Sequence, residues 1–533
     1  MLELLAFVLA AVTVIVVLQL IANRTGLPVA ALLTLAGLLY AVLPGPNLTL
    51  DPHVILTFII PPLIYSAALN SSLTAIRENL RTVISLSIGL VIATAMVTGV
   101  GMRLFVPEAG LAAGVALGAA IAPTDPVAAL AVGGARLPPR LITVIEGEGL
   151  LNDATALTTL TVAVMAVTSG GFSFGGAVKH FLLAAAGGLL AGVVVAFAMR
   201  LLRRAIHDPL LVNTLSLATP FGAYLLGEAA HVSGVLAVAV AGLMIGHDTP
   251  RSTSGASRLQ TSAVWRLADF LLQGFVFLLI GQQIVPVVHG LRNYSLVTVA
   301  IAVAVSLAAA LALRPLWLMM MAVPVRVVRA RPTGTPAAAG NKALMGGRRL
   351  SGREIGVLSW AGTRGVISLA AICTVPLTVS DGQPFPDRDL LLFCTFLVVV
   401  VTLVGQGLTF GLVTRVLRVQ VDPADGEWLR WEARAAAARA GLTQLDQVAA
   451  SGEVAGPTLA ALRLSLEHKA ERYRQQPPAA ADAALQARRE VIDAQREELL
   501  RWRDVGLLPD ASLRLLQREL DHEERTLRPR GGR

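Results

Sequence analysis

Apolar runs of membrane-spanning length recur along almost the whole of the first 420 residues. A bilayer core is about 30 Å thick and takes about 20 helical residues to cross, and it offers no water to satisfy a free backbone. The chain is 55% hydrophobic and 15% charged, with a mean hydropathy of +0.67, which excludes an ordinary soluble globular protein. We therefore predict an all-α polytopic membrane protein with about 13 transmembrane helices, over residues 2–21, 28–43, 53–69, 82–104, 109–132, 141–167, 176–201, 209–227, 230–246, 264–286, 295–323, 354–377 and 389–414.

The positive charges predict how these spans are oriented. The chain has 44 Lys and Arg; 18 of them lie beyond residue 420, where 19 Asp and Glu balance them, so 26 remain in the membrane part. With 13 spans and a cytoplasmic C-terminus, 20 of these 26 fall in inside loops and 4 in outside loops, as the positive-inside rule requires. We expect a multi-pass protein of the cell membrane with its N-terminus outside. Because the basic excess belongs to the membrane part, no nucleic-acid binding is expected.

The composition changes near residue 420. Residues 1–420 form the expected transmembrane domain, and residues 421–533 read as a soluble helical C-terminal tail on the cytoplasmic side, rich in Arg, Glu, Ala and Leu with leucines at helical spacing. The tail contains no Gly-rich phosphate loop or metal-ligating cluster. Sensing pH, binding a nucleotide and self-association therefore all stay open for it.

Span five is expected to be interrupted. It reads GAAIAPTDPVAALAV, where Pro123 and Pro126 bracket Thr124 and Asp125. Proline removes a backbone donor and clashes with the preceding helical turn, so two prolines three residues apart should unwind the helix at its middle. The freed carbonyls and half-helix ends can then coordinate a cation. A kink that only aids packing would not account for the aspartate at the break.

Span six carries acidic residues in the stretch EGEGLLNDAT. Glu148 and Asn152 lie about 40° apart on one helical face, whereas Asp153 lies about 140° from Glu148. A charge near mid-membrane costs at least a few kcal/mol unless it is paired or functional. We therefore predict that one carboxylate is tied to a cationic side chain on a neighbouring helix while the other faces a water-filled cavity. The role of Glu146 stays open.

Two arginines also fall inside predicted spans. Arg314, in ALALRPLWLMM, is the candidate partner for a carboxylate of span six, since burial of either charge alone is costly. Arg364 lies in span twelve between Gly362 and Gly365, which should loosen that helix. Interrupted helices in spans five and twelve are the pattern of inverted repeats, spans 1–6 and 8–13, with the substrate site where the two breaks cross.

These motifs together resemble one family. APTDPVAALAV in span five, EGEGLLNDATAL in span six, LRPLW around Arg314 and GTRGVISLA around Arg364 are similar to the electroneutral branch of the monovalent cation:proton antiporters, the sodium/proton exchangers. The resemblance covers about residues 1–418. It implies a homodimer with the first spans in the interface.

The resemblance also implies an ion site. Asp153 would bind cation and proton alternately, and Na⁺ would be held at Asp153, Asp125 and Thr124. Asn152, at a position where electrogenic relatives carry a second Asp, implies that one cation is exchanged for one proton.

The supporting residues are implied in the same way. Glu148 would pair with Arg314, and Arg364 would support the crossing of the broken helices. Many relatives have a serine directly after the second glutamate, where this chain has Gly149. That difference removes one possible hydroxyl ligand of the ion, whose place water or a backbone carbonyl would take.

The function expected from the sequence is secondary active transport. A monovalent cation, Na⁺ with K⁺ or Li⁺ as alternatives, and a proton would compete for Asp153 in an electroneutral exchange that serves pH and sodium homeostasis and needs no cofactor or nucleotide. A cation channel is the first alternative, although one isolated carboxylate site differs from a ring or repeated filter. An intramembrane aspartyl hydrolase built on Asp125 and Asp153 is the second, and it leaves the arginines without a role.

Overall fold

The helices of this protein divide into two compact units, residues Met1–Gln420 and Val421–Arg533. The computed structural model describes residues 2–43, 54–106, 110–133, 137–168, 174–206, 208–252, 255–322, 350–379, 383–419, 423–451 and 456–475, with short stretches beyond residue 490. In these ranges the backbone is almost entirely helical, and one isolated β-bridge joins Thr378 and Pro384. Seven of the 20 basic residues expected in inside loops lie between Arg326 and Arg353, and all of these except Arg353 lie outside the described residues, as does most of the tail after residue 475.

In chain order, the described helices of the first unit are α1 (Leu2–Thr25), α2 (Val29–Tyr40), α3 (Ile55–Asn70), α4 (Leu73–Glu78), α5 (Leu80–Phe105), α6 (Leu111–Ile121), α7 (Pro126–Gly133), α8 (Pro139–Thr168), α9 (Phe174–Ala205), α10 (Pro209–Ala229), α11 (Gly234–Ser252), α12 (Gly255–Gln282), α13 (Ile284–His289), α14 (Leu296–Ala322), α15 (Gly352–Trp360), α16 (Val366–Cys373) and α17 (Arg388–Val416). In the second unit, α18 (Pro423–Ser451) packs against α19 (Gly456–Gln475).

Eight helices in the described residues are long and apolar enough to cross a membrane: α1, α5, α8, α9, α10, α12, α14 and α17. Shorter apolar helices accompany them at Val29–Tyr40, Ile55–Asn70, Leu111–Ile121 and Gly234–Thr249. The protein is thus an all-helical polytopic membrane protein, as the apolar runs predict.

The predicted spans coincide with helices, and the differences lie at their ends and at two interruptions. Most of the run over 264–286 lies in α12, which begins nine residues earlier, at Gly255, and ends at Gln282. This start was missed because polar residues continue a helix beyond its apolar stretch without contributing to the hydropathy signal. The runs over 109–132 and 354–377 are each divided into two helices, with non-helical residues at 122–125 and at 361–365.

Small residues set the distance between α5 and α6. A Cβ atom added to Gly118 would lie 2.6 Å from the Ala95 Cα atom, and one added to Gly114 would lie 2.8 Å from the Met102 Cβ atom. Gly114 and Gly118 are four residues apart and therefore share one face of α6. Without a hydrophobic driving force inside lipid, such close backbone contact is what holds neighbouring helices together.

We expect Gly118→Leu to destabilise the membrane unit, because the new side chain meets backbone that cannot yield. Overpacking of this kind costs about 1–3 kcal/mol or more, measurable as a lower Tm in detergent. Gly222→Leu is the matched control, since Gly222 is exposed on α10 and a Cβ there meets nothing within 4 Å. Equal Tm values for the two variants would contradict this account of the packing.

Candidate functional site

The two non-helical segments hydrogen bond directly to each other. The backbone N–H of Asp125 donates to the Thr363 carbonyl at 2.7 Å, and the Thr363 hydroxyl donates to the Asp125 carbonyl at 2.6 Å. Backbone groups released by unwinding in a membrane need partners, and here each segment supplies them to the other. The breaks after α6 and after α15 therefore meet at one place in the fold.

Asp125 marks the start of α7. Pro126 occupies the first helical position, where its missing N–H costs nothing. One oxygen of the Asp125 side chain accepts from the Val127 N–H at 2.9 Å, which caps the positive end of the helix. The prolines thus end one helix and begin another, and Asp125 is fixed between them.

Arg364 lies at the same crossing and is 2% exposed. Its guanidinium donates to backbone carbonyls: to Ile121 at 2.6 Å, to Ala310 at 3.2 Å and to Gly362. Ile121 is the last residue of α6, so the arginine lies at the negative end of that half-helix. Among the described residues no carboxylate pairs with Arg364, and helix-end carbonyls compensate its charge instead.

Glu148 and Arg314 form a buried, two-pronged ion pair. Arg314 Nη2 donates to Glu148 Oε2 at 2.9 Å, and Nη1 bonds the other oxygen. Arg314 Nε also donates to the Leu358 carbonyl of α15 at 2.7 Å. Both side chains are 2% exposed. A parallel fork of this kind is the strongest geometry for an arginine and a carboxylate.

The ion pair continues into the break after α6. The Thr124 hydroxyl donates to Glu148 Oε1 at 2.9 Å and accepts from the Asn152 amide at 3.0 Å. Glu148 and Asn152 thus share one face of α8, as their spacing predicts, and both contact Thr124. The Thr124 hydroxyl therefore joins Glu148 to Asn152.

Asp153 lies on another face of α8 and lines a cavity of about 230 Å³ together with Asp125. Asp153 is 4% exposed, and none of the described residues donates a hydrogen bond to its carboxyl group. Two further acids, Glu146 and Asp269, line the same cavity, and among the described residues that form it there is no Lys, Arg or His. The lining therefore supplies carboxyl groups without a basic side chain to neutralise them, which favours cations over anions.

Sequence reasoning missed Asp269 and Ser368 of this cavity and left the role of Glu146 open. Asp269 on α12 accepts a hydrogen bond of 2.5 Å from the Ser66 hydroxyl on α3, and Glu146 accepts one of 3.3 Å from Ser71. Ser368 on α16 also lines the cavity, and its buried hydroxyl has no partner among the described residues. Asp269 was visible as an acid in the predicted span 264–286, although its serine partner lies 203 residues away.

Glycines beside the site make room for its charged groups. A Cβ on Gly362 would lie 2.8 Å from Arg314 Cδ, and one on Gly365 would lie 2.8 Å from Asp125 Cγ. Neither residue has a positive φ angle. The sequence interpretation, that these glycines loosen the helix, is therefore incomplete: they also allow Arg314 and Asp125 to approach the backbone closely.

Gly149 also allows a neighbouring residue to approach its backbone closely. A Cβ there would lie 2.9 Å from Pro126 Cδ and 3.6 Å from the Thr124 carbonyl oxygen. The position that the sequence comparison marks as a lost hydroxyl ligand is in this chain a close contact between α8 and the start of α7.

The fold and the site define a class of protein: a polytopic membrane transporter whose interrupted helices cross beside an acidic cavity. The transmembrane sodium/hydrogen exchanger family matches residues 8–416. The chain belongs to this family. It is a monovalent cation/proton antiporter, a secondary transporter and not an enzyme, which confirms the family and the activity expected from its motifs.

Individual relatives agree with this assignment. An uncharacterized Na(+)/H(+) exchanger of Mycobacterium tuberculosis is 35% identical over 522 residues, covering 94% of this chain and 92% of that protein. A sodium, potassium, lithium and rubidium/H(+) antiporter of Bacillus pumilus is 30% identical over 377 residues, covering 69% of this chain and 55% of that protein. The solved structure of the sodium proton antiporter MjNhaP1 from Methanocaldococcus jannaschii has a similar fold, with a TM-score of 0.58 at 19% identity, over 78% of this chain and 98% of that one.

We expect Arg314→Met to destabilise the protein by about 3–5 kcal/mol, because Glu148 is left buried without its counter-charge. The double variant with Glu148→Gln should recover part of this loss, measured as Tm in detergent. Arg200→Met is the control, since the Arg200–Asp248 pair is exposed and should contribute less than about 1 kcal/mol. Additive losses in the double variant would show that the buried pair is not coupled.

We expect Gly149→Ser to impair exchange, because the added Cβ displaces Pro126 and with it the neighbouring Asp125. Gly147→Ala is the matched control on the same helix, where the nearest neighbour of a Cβ is a Val83 methyl group at 3.1 Å. The measurement is the sodium dependence of proton movement in proteoliposomes. A tighter sodium affinity in Gly149→Ser at an unchanged rate would instead support the serine-ligand interpretation.

Proposed function

We propose that Asp153 carries the transported ions and binds a proton and a monovalent cation in turn. Two observations support this role. Asp153 lines the acidic cavity, and no described residue neutralises it or donates to it. Glu148, by contrast, is neutralised by Arg314. A buried carboxylate without a fixed counter-charge favours whichever cation reaches it, so the proton and the metal ion compete for one group.

Asp125 is proposed as the second carboxylate of the ion site. One of its oxygens caps α7 through Val127, which leaves the other free to ligate a cation. Thr124 and Asn152 support the site from the network behind it, because Thr124 bonds both Asn152 and Glu148. Arg364 acts as a positioning residue that fixes the end of α6 at the crossing.

The exchange is proposed to be electroneutral, one cation for one proton. The residue before Asp153 is the neutral Asn152, whose amide donates to the Thr124 hydroxyl. It therefore adds no second titrating charge beside the carrier. Na⁺ is the proposed substrate, with K⁺ and Li⁺ competing for the same oxygens, in line with the cations named for the Bacillus pumilus relative.

Alternating access follows from the cost of charge in the membrane. An empty, ionised Asp153 carries an uncompensated charge, which disfavours movement through the barrier, whereas the group loaded with a proton or a cation is close to neutral. We propose that 13 spans arranged as inverted repeats, spans 1–6 and 8–13, rock to expose the site to each side in turn. Such a cycle is driven by the two ion gradients and serves pH and sodium homeostasis.

The proposed setting is the cell membrane, with the N-terminus outside and the tail of residues 421–533 in the cytoplasm. The distribution of Lys and Arg supports this orientation. We also propose a homodimer that uses the first spans. Within one chain 17% of the most apolar window of α1 is buried, which leaves most of this helix available for such an interface.

In proteoliposomes with a preset pH gradient, adding Na⁺ or K⁺ should dissipate the gradient, and Asp153→Asn should abolish the response because the carrier loses its charge and its proton. Asp248→Asn is the control, a carboxylate outside the cavity. Exchange by Asp153→Asn at the wild-type rate would overturn the assignment. Cation flux that proceeds without proton movement would favour the channel alternative.

A further inference from the structure

The exchange cycle leaves two acids of the cavity unused, Glu146 and Asp269, and Asp269 lies near the middle of α12. An ionisable side chain inside a spanning helix is costly, and it is retained where it has a partner or a task. Asp269 contacts no arginine or lysine among the described residues. Its surroundings therefore decide what it does.

One oxygen of Asp269 is fixed and the other is free. Oδ2 accepts a 2.5 Å hydrogen bond from Ser66, which is itself 1% exposed. Oδ1 is enclosed, and no donor among the described residues reaches it. The short bond holds the carboxyl group in one orientation, with its second oxygen unsatisfied by the protein. A hard monovalent cation takes oxygen ligands of this kind.

The same cavity contains a second oxygen with no protein partner. Ser368, on α16 one helical turn beyond Gly365, is 1% exposed and lines the cavity, and its hydroxyl has no partner among the described residues. Gly365 lies directly against the Asp125 carboxyl group. The Asp269 Oδ1 atom on α12 and the Ser368 hydroxyl on α16 therefore both belong to residues of the cavity that also contains Asp153. Each has lone pairs that can coordinate a cation.

We propose that Asp269, held by Ser66, forms a second cation-binding station in this cavity, from which a dehydrated Na⁺ or K⁺ passes to Asp153. The station lies on α12 and α3. Asp125, by contrast, lies in the break between α6 and α7, and Asp153 lies on α8. It raises the occupancy of the cavity by cations and lowers the cost of bringing an ion to the carrier. This inference rests on the proposed role of Asp153 as the carrier.

The test is the sodium dependence of exchange by the full-length chain in proteoliposomes. Asp269→Asn keeps the size of the side chain and an acceptor for Ser66, but it removes the charge. We expect the apparent KM for Na⁺ to rise about tenfold, the scale expected for losing one partly screened charge contact, while the maximal rate stays close to that of the wild type. Asp269→Glu should keep most of the sodium affinity.

Thr261→Val is the matched control. Thr261 lies on the same helix and its hydroxyl donates to Asn213 of α10 at 2.5 Å, so it joins α12 to a neighbour as Asp269 does, but it does not line the cavity. Its KM should not change. Tm values in detergent identify any variant that has lost its fold.

The outcomes separate this inference from the proposed function. If Asp269→Asn keeps the wild-type KM while Asp153→Asn is inactive, the carrier assignment stands and the second station is wrong. A change in KM that is equal in Asp269→Asn and Asp269→Glu would also overturn it, because the charge would then not be the cause. If Asp153→Asn still exchanges, the proposed function itself fails.

Discussion

The ion pair between Glu148 and Arg314 is the interaction on which the rest of the site depends. Through the Thr124 hydroxyl and the Leu358 carbonyl it joins α8 and α14 to both interrupted helices. Two charges removed from water repay their desolvation only when the geometry is good and further hydrogen bonds satisfy them. The fork between the side chains and two additional bonds meet that condition. The pair thereby fixes the helix breaks relative to the helix that carries Asp153.

The site contains two kinds of charged side chain: some are neutralised by a protein group of opposite polarity, and others have no such group beside them among the described residues. Glu148 faces Arg314, and Arg364 faces the carbonyl end of α6, so both belong to the scaffold. Asp153 faces the cavity with no protein cation beside it among the described residues. This division follows from the helical geometry of α8, because Asp153 points about 140° away from Glu148. One helix can therefore carry an ion-paired acid and a second acid that faces the cavity.

Much of this arrangement was predictable from local sequence. Two prolines around an aspartate predict an interrupted helix, and the spacing of Glu148 and Asn152 predicts that they share one helical face, where the structure shows that both contact Thr124. The partners of Arg364 were not predictable, because they are backbone carbonyl groups, which every residue type has. The contact between Asp269 and Ser66 was missed for a similar reason. It depends on which distant helices become neighbours, and hydropathy does not encode that pairing.

The hydrogen bonds at the crossing bear on how such a transporter can move. One backbone bond and one bond from the Thr363 hydroxyl join Asp125 and Thr363, and the ion-pair network joins the same segments to α8 and α14, so these helices are expected to move together. Ser66 and Asp269 lie on α3 and α12, which pack against α11 and α2 respectively. If the helices that meet at the crossing rock against α3 and α12, the distance between Asp153 and Asp269 changes. In the cycle proposed above, a cation shared by the two carboxylates in one state would then stay with Asp153 alone in the other.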